Sequence, residues 1–303
     1  MQRNPSSPDD FHENHPFREP KTSPVLTYGF PRDFLGNKHV YVVMSSRAKG
    51  LTVGVNLNPD NRCNFDCVYC EIDRRSSDQS ENKVDAELVK HELVRTLTAL
   101  KSGQLRERPY YSHLPLDLLS LRHVALSGHG EPTLCKEFDK VVESVSHVRA
   151  QGHFPFFKLV LFTNGSVLDD PLVQKGLKML TTKDEIWAKL DAGTEAYMKK
   201  VNKTEVSIAK ILSNISMVGK QRPIIIQSLF PLYNNEEPPM AEIMEYSMRL
   251  RELKHSGVNI PLVQIYSANR PMVSSGCGHL RLKTLSQIAK IVRAETGLIV
   301  ELF

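Results

Sequence analysis

The strongest constraint on the fold of this 303-residue chain is a rhythm. From residue 51 onward, short apolar runs alternate with longer stretches of helical spacing. The runs are Val53–Leu57, His123–Ser127, Phe157–Phe162, Glu185–Leu190, Pro223–Leu229 and Leu262–Tyr266. Each fits a strand, and Ile224-Ile225-Ile226 is apolar on both faces, as an interior parallel strand requires. Between them, Ala86, Val89, Leu93, Leu97 and Leu100 step by three and four and share one helical face. Ile208, Ile211, Leu212, Ile215 and Val218 do the same after Thr204, read here as their N-cap. Met240, Met244 and Met248 repeat every four residues and are read as core packing of a further helix. A last helix around Leu285–Val292 precedes the run Leu298-Ile299-Val300. Ahead of the first unit, the apolar run Val40–Met44 adds a strand. Strands alternating with helices of this length imply βαβ units and a mainly parallel sheet, an α/β protein. Periodicity leaves two windings open, an open doubly wound sheet and an incomplete barrel. In both, ligands collect at the carboxyl ends of the strands, so chemistry is sought just after each one.

Composition enters as a set of exclusions. Hydrophobic residues make up 41% and charged residues 24%, which is globular rather than disordered. No apolar run reaches the ~18 residues of a membrane span, and the first thirty residues have no signal-peptide core, so a cytoplasmic location and no membrane partner are expected. Residues 1–35 are rich in Pro, Asp, Asn and Ser and are read as a flexible polar arm, with 36–303 as the working domain. The net charge of +5 is compatible with an anionic substrate or nucleic acid. Its basic residues come in short groups, Arg74-Arg75, Arg106 with Arg108, and Lys199-Lys200, which solvated helix faces account for.

The five cysteines are unevenly placed. Cys63, Cys67 and Cys70 share one loop just after the first of the six strands. Crowded cysteines in a reducing compartment favour metal or catalytic use over disulfides. Three thiolates on one tight loop can converge on one soft centre. Structural zinc takes four protein ligands, and no fourth is apparent nearby. An iron–sulfur cube held by three cysteines leaves one iron open to a small molecule.

The pattern Cys63-x3-Cys67-x-Tyr69-Cys70 resembles the signature of the radical S-adenosylmethionine (SAM) superfamily. In that family the open iron chelates the amino and carboxylate groups of SAM. Reductive cleavage then gives a 5′-deoxyadenosyl radical that abstracts hydrogen from a substrate. The resemblance implies a [4Fe-4S] cluster on Cys63, Cys67 and Cys70, bound SAM, an electron donor such as flavodoxin or ferredoxin, and a partial (β/α)6 TIM-like barrel. It extends over about residues 50–270.

After the second strand, Gly128-His129-Gly130-Glu131-Pro132 is similar to the family's Gly-Gly-Glu element, which holds the SAM amino group. His129 stands in or beside the first glycine position, so Gly128, Gly130 and Glu131 carry the resemblance. Thr163-Asn164-Gly165 after the third strand is either a plain turn or a wall of the SAM site. Lys189-Leu190-Asp191 after the fourth resembles the family's Ser-Leu-Asp element. There Lys189 is either a SAM-carboxylate partner or a solvated surface lysine, and Asp191 is alternatively a cap. Gln227 and Ser228 close the fifth strand, where they reach SAM or satisfy buried backbone. Arg270, after the sixth, is a candidate anion binder.

The order of these elements looks closest to the wyosine-synthase-like group, whose true members act on a transfer-RNA guanosine, which makes transfer RNA a candidate partner. Cys135 and Cys277 cannot supply a four-cysteine auxiliary cluster. Cys277 is a candidate radical quencher or hydrogen donor, or an inert small residue. A non-catalytic zinc or iron–sulfur regulatory protein is the rival reading.

Overall fold

The computed structural model describes residues 35–45, 47–74, 83–268 and 272–303, and the backbone of Leu26–Thr27 and Phe30–Pro31. Most of the 1–35 arm, Arg75 and Arg270 lie outside the described residues.

All six expected strands form, with ends shifted by at most a few residues. They are β2 (Gly50–Val55), β3 (Leu121–Leu126), β4 (Lys158–Thr163), β5 (Glu185–Lys189), β6 (Ile225–Leu229) and β7 (Val263–Tyr266). The run before them is β1 (Val40–Ser45), which pairs antiparallel with β2, and the terminal run supplies β8 (Val300–Leu302) beside β7. The eight strands lie side by side in chain order from β1 to β8. Every pair beyond the first is parallel. A doubly wound sheet reverses its strand order at a switch point, which a sheet in strict chain order never does. Right-handed crossovers in one direction place every helix on one face, and the sheet curls away from them into a partial barrel.

The helices longer than one turn are, among the described residues, α1 (Ala86–Lys101), α2 (Phe138–Ala150), α3 (Pro171–Leu177), α4 (Glu195–Asn202), α5 (Ile208–Gly219), α6 (Met240–His255) and α7 (Leu282–Thr296). Alternation along the strands separates two cores. The large one lies between sheet and helices and holds Leu159, Leu161, Ile186, Ile226 and Val263 with Val89, Val142 and Ile215. A small one inside the barrel comprises Val160, Trp187 and Ile225, with Phe162 and Leu262 against them. On α1, Glu92 turns inward and accepts from the amides of Lys38, His39 and Val40 at 2.8, 2.8 and 3.1 Å, fixing where β1 begins.

Two expectations need correction. The N-cap of α5 is Ser207, whose Oγ accepts from Lys210 N at 3.2 Å. A cap must directly precede the first helical residue to reach the free amides. Thr204 instead donates to Asn64 O at 3.0 Å. The methionine stripe of α6 is not core. Met240 and Met244 are 54% and 43% exposed, and the buried face is Ile243, Tyr246, Leu250 and Leu253. A period of four fits two neighbouring helix faces equally, and the one with more apolar bulk turned inward. No helix among the described residues is long and apolar enough to cross a membrane.

Candidate functional site

The cysteine loop runs from the end of β2 to Arg74, and two strand-end turns and the end of α4 hold it. Glu131 N donates to Arg62 O at 3.1 Å. A Cβ on Gly130 would lie 1.9 Å from that same Arg62 oxygen, so only glycine allows the contact. Gly128 has φ +150°, and its Cα faces Asn56, whose Oδ1 accepts from Asn58 N and His129 N at 3.0 and 3.1 Å. From the turn after β4, Asn164 Nδ2 donates to Asn64 Oδ1 at 2.8 Å, and Asn64 Nδ2 donates to Ser166 Oγ at 2.9 Å. From the end of α4, the carbonyls of Asn202 and Val201 accept from Asp66 N and Val68 N at 3.1 and 2.9 Å. The loop is therefore a clamped element rather than a free connection.

Each of its three sulfurs receives one N–H donor. Phe65 N reaches Cys63 Sγ at 3.5 Å, Asn202 Nδ2 reaches Cys67 Sγ at 3.4 Å and Arg74 Nη2 reaches Cys70 Sγ at 3.3 Å. Such donors suit thiolates, which accept and do not donate. Arg74 also donates to Asn61 O and His129 O, so it is a site residue and not part of a solvated charge run. Burial, with Glu131 nearby, pushes the Cys63 thiol up to about 12. Burial pushes Cys67 up as well, against the pull of Lys189. Burial thus disfavours the thiolates of Cys63 and Cys67 until a positive centre compensates them. Among the described residues, no three His, Cys, Asp or Glu side chains are disposed to hold one metal ion. A cube of four irons spaces its ligands more widely than a single ion does, and three sulfurs each carrying a donor fit that group.

These sulfurs line a cavity of about 350 Å³ inside the barrel. Gly128, Gly130, Glu131, Thr163, Asn164, Lys189 and Gln227 line it too. Ser228 and Cys277 are not among the lining residues. Strand alternation turns Gln227 inward, where it donates to Gln264 Oε1 at 2.8 Å, and turns Ser228 outward to Tyr246 OH at 2.6 Å. Cys277 is buried in the two-residue ladder of Leu232–Tyr233 and Cys277–Gly278, where burial pushes its thiol up to about 11.

Two carboxylates organise the rim. Glu131 is 3% exposed and accepts from Thr133 N, Thr133 Oγ1, Thr163 Oγ1 and Asn164 N at 3.2, 2.5, 2.7 and 2.6 Å. Three of these bonds fall on Oε1, leaving Oε2 with acceptor capacity toward the cavity. Burial raises its carboxyl, and the four donors work against that. Asp191 lies behind the loop and accepts from Leu229 N at 2.8 Å, Asn202 Nδ2 at 2.9 Å and the Tyr69 hydroxyl. Lys189 Nζ stands 3.5 Å from Asp191 and 4.6 Å from the centre of the Tyr69 ring. Burial disfavours its charge, but Asp191, Tyr266 and Cys67 outweigh that and hold the ammonium above its ordinary range. Lys189 lines the cavity and is not a solvated surface lysine.

Several cavity residues escaped the sequence reading. Tyr41, Arg47, Thr52, His123 and Tyr266 line the wall. His123 Nε2 bonds Thr52 Oγ1 at 2.9 Å, and burial, with Lys158 and Arg47 nearby, pushes its imidazole down to about 4. Tyr41, His123 and Tyr266 carry a sequence signal, as polar side chains inside apolar strand runs.

The curled sheet in chain order, with a clamped three-cysteine loop after its first parallel strand, is a partial α/β barrel. No model of a known protein family matches the chain. Among solved structures, it is similar to a radical SAM methyltransferase from Sphaerobacter thermophilus, with TM-score 0.61 and 15% identity over 87% of this chain and 68% of that one. It is similar to TYW1 with a lysine–pyruvate adduct bound, at TM-score 0.54 and 15% identity over 84% of each chain. It is also similar to Streptococcus suis SuiB bound to S-adenosylmethionine, at TM-score 0.54 and 13% identity over 85% of this chain and 52% of that one. Among curated proteins, the UPF0026 protein slr1464 of Synechocystis is 26% identical over 58% of this chain and 57% of its own length. A protein named GTPase Obg from Brachyspira hyodysenteriae is 22% identical over 65% of this chain and 26% of its own length. The chain thus spans less than two thirds of either curated relative.

Proposed function

We propose that this chain is a radical SAM enzyme in which Cys63, Cys67 and Cys70 hold a [4Fe-4S] cluster beside a SAM site. The observation that carries the reading is the set of three partly buried sulfurs, each with an N–H donor, on the wall of one cavity with Gly130 and Glu131. When bound, the cluster and SAM supply the radical chemistry described for the superfamily.

The chain's own residues bind, orient and exclude water. Glu131 Oε2 accepts from the SAM ammonium, while its other oxygen fixes the turns after β3 and β4. Lys189, kept charged by Asp191, adds a cation to the cavity wall, and Gln227 and Asn164 line the remaining polar part of it. Arg74 sets a positive charge against Cys70 and tethers the loop to the His129 carbonyl. The interior floor of Phe162 and Trp187 keeps the far side of the cavity dry, which protects a reactive intermediate from water. An electron donor such as flavodoxin or ferredoxin completes the system.

A GTPase reading has no support, because the sequence contains no Gly-Lys-Ser or Gly-Lys-Thr of a phosphate-binding loop. A transfer-RNA base remains the proposed substrate of reference, and nucleoside digests of transfer RNA from a deletion strain should lack one modification found in wild type.

Anaerobic reconstitution with iron, sulfide, dithionite and SAM tests the main reading. The expected result is a brown protein that forms 5′-deoxyadenosine, and Cys67→Ala should lose both properties. A well-reconstituted protein that makes none, or one equivalent of zinc with no cluster uptake, supports the non-catalytic rival.

A further inference from the structure

Arg47 enters the cavity from the turn between β1 and β2 rather than from a carboxyl-end loop. Its guanidinium carbon lies 4.5 Å from the centre of the Tyr266 ring. Lys189 Nζ lies 5.9 Å from the centre of the same ring. Arg47 Nη1 is buried and has no hydrogen-bond partner. Among the described residues, no carboxylate pairs with Arg47. Lys189 reaches one only at 3.5 Å, and that oxygen already accepts from Tyr69 and Asn202.

A guanidinium carries five N–H donors and no acceptor, so a buried Nη1 left unbonded is costly. Two cations beside one ring also repel each other in a low-dielectric cavity. An anion beside Tyr266 relieves both. The planar fork of arginine matches carboxylate and phosphate oxygens, and the lysine adds a point charge. His123 contributes no competing charge, because it bonds Thr52 as a neutral ring.

We infer that Arg47, together with Lys189 on the same tyrosine, receives an anionic group of the substrate, a carboxylate or a phosphate. The inference rests on the cavity being the radical SAM site proposed above, and it narrows the substrate class to acids and phosphorylated compounds. The SAM carboxylate has the same chemistry, so the test separates the two sources.

The full-length chain is titrated with inorganic phosphate and with succinate at constant ionic strength, and its melting temperature is followed. Trp187 is the chain's one tryptophan and packs on Phe162 and His123 of the cavity wall, so its fluorescence reports occupancy. Wild type should melt higher with at least one anion, as any ligand of the native state requires. Arg47→Met should bind that anion at least about tenfold more weakly, and Arg47→Lys should fall between, since it keeps the charge and loses the fork. Without anion, Arg47→Met should melt no lower than wild type. Equal anion affinity in Arg47→Met, or no response of wild type at tens of millimolar anion, overturns the inference. SAM affinity of the reconstituted protein is then measured by equilibrium dialysis. A value within twofold of wild type in Arg47→Met supports the substrate assignment, whereas a tenfold loss moves the anion to SAM and overturns it. Failure of 5′-deoxyadenosine formation in wild type, with the anion arm as expected, would sink the enzyme reading separately.

Discussion

Asp191, behind the cavity wall, and Arg47, on it, are charged groups with opposite surroundings. Asp191 is 4% exposed and has a partner for both oxygens, from Leu229 N, Asn202, the Tyr69 hydroxyl and Lys189. Arg47 stacks on one ring and keeps a buried N–H without an acceptor. The first group is finished by the fold, because its partners come from β5, β6, α4 and the cysteine loop and leave it nothing to offer a ligand. The second is left open by the fold. A charge that the protein has fully satisfied holds structure, and one left incomplete waits for something to bind.

Removing each group in turn can break that contrast. Asp191→Ala strands several donors and an ammonium at once, so unfolding free energy should fall by about 3–5 kcal/mol in denaturant titrations. A loss near zero would mean that the cluster loop does not depend on this anchor. The next largest effect is on pH. His123 sits at about 4 in the folded chain against 6.5 when unfolded, so the unfolded state binds more protons between those values. Its contribution is complete above pH 6.5 and is lost as pH falls toward 4, a change of about 3 kcal/mol. His123→Gln should flatten that part of the stability profile. Glu131→Gln turns an amide toward four donors and should cost about 1–3 kcal/mol, read by thermal unfolding, with weaker SAM binding by dialysis. At the other end of the scale, Arg47→Met should leave stability unchanged or raise it by less than about 1 kcal/mol, because removing a buried unbonded N–H offsets the lost cation–π contact. Met240→Gln with Met244→Gln should lie within about 0.5 kcal/mol of wild type, since both side chains face outward.

Much of the barrel could be read directly from the chain. The six strands and the helices between them follow from apolar spacing, and the site falls at strand ends because loops emerge there. The cysteines, Gly130-Glu131 and Thr163-Asn164 were legible as short runs. Ser228 was misread because its neighbour Gln227 has the same polarity, and only the strand's twofold alternation, counted from the true register, says which one faces inward. The methionine stripe failed for a related reason, since helical spacing defines a face without saying what that face meets.

By itself, the sequence determined the class of fold, the cysteine loop and the turns that face it, because periodicity and motif spacing are local properties of the chain. Tertiary structure alone decided the clamps from Asn164, Asn202 and Asp191 onto that loop, and the meeting of Arg47 with Tyr266. Arg47 and Tyr266 are more than two hundred positions apart in the sequence. No local pattern relates such residues; only the curl of the sheet, which brings its two edges around one cavity, puts them in contact.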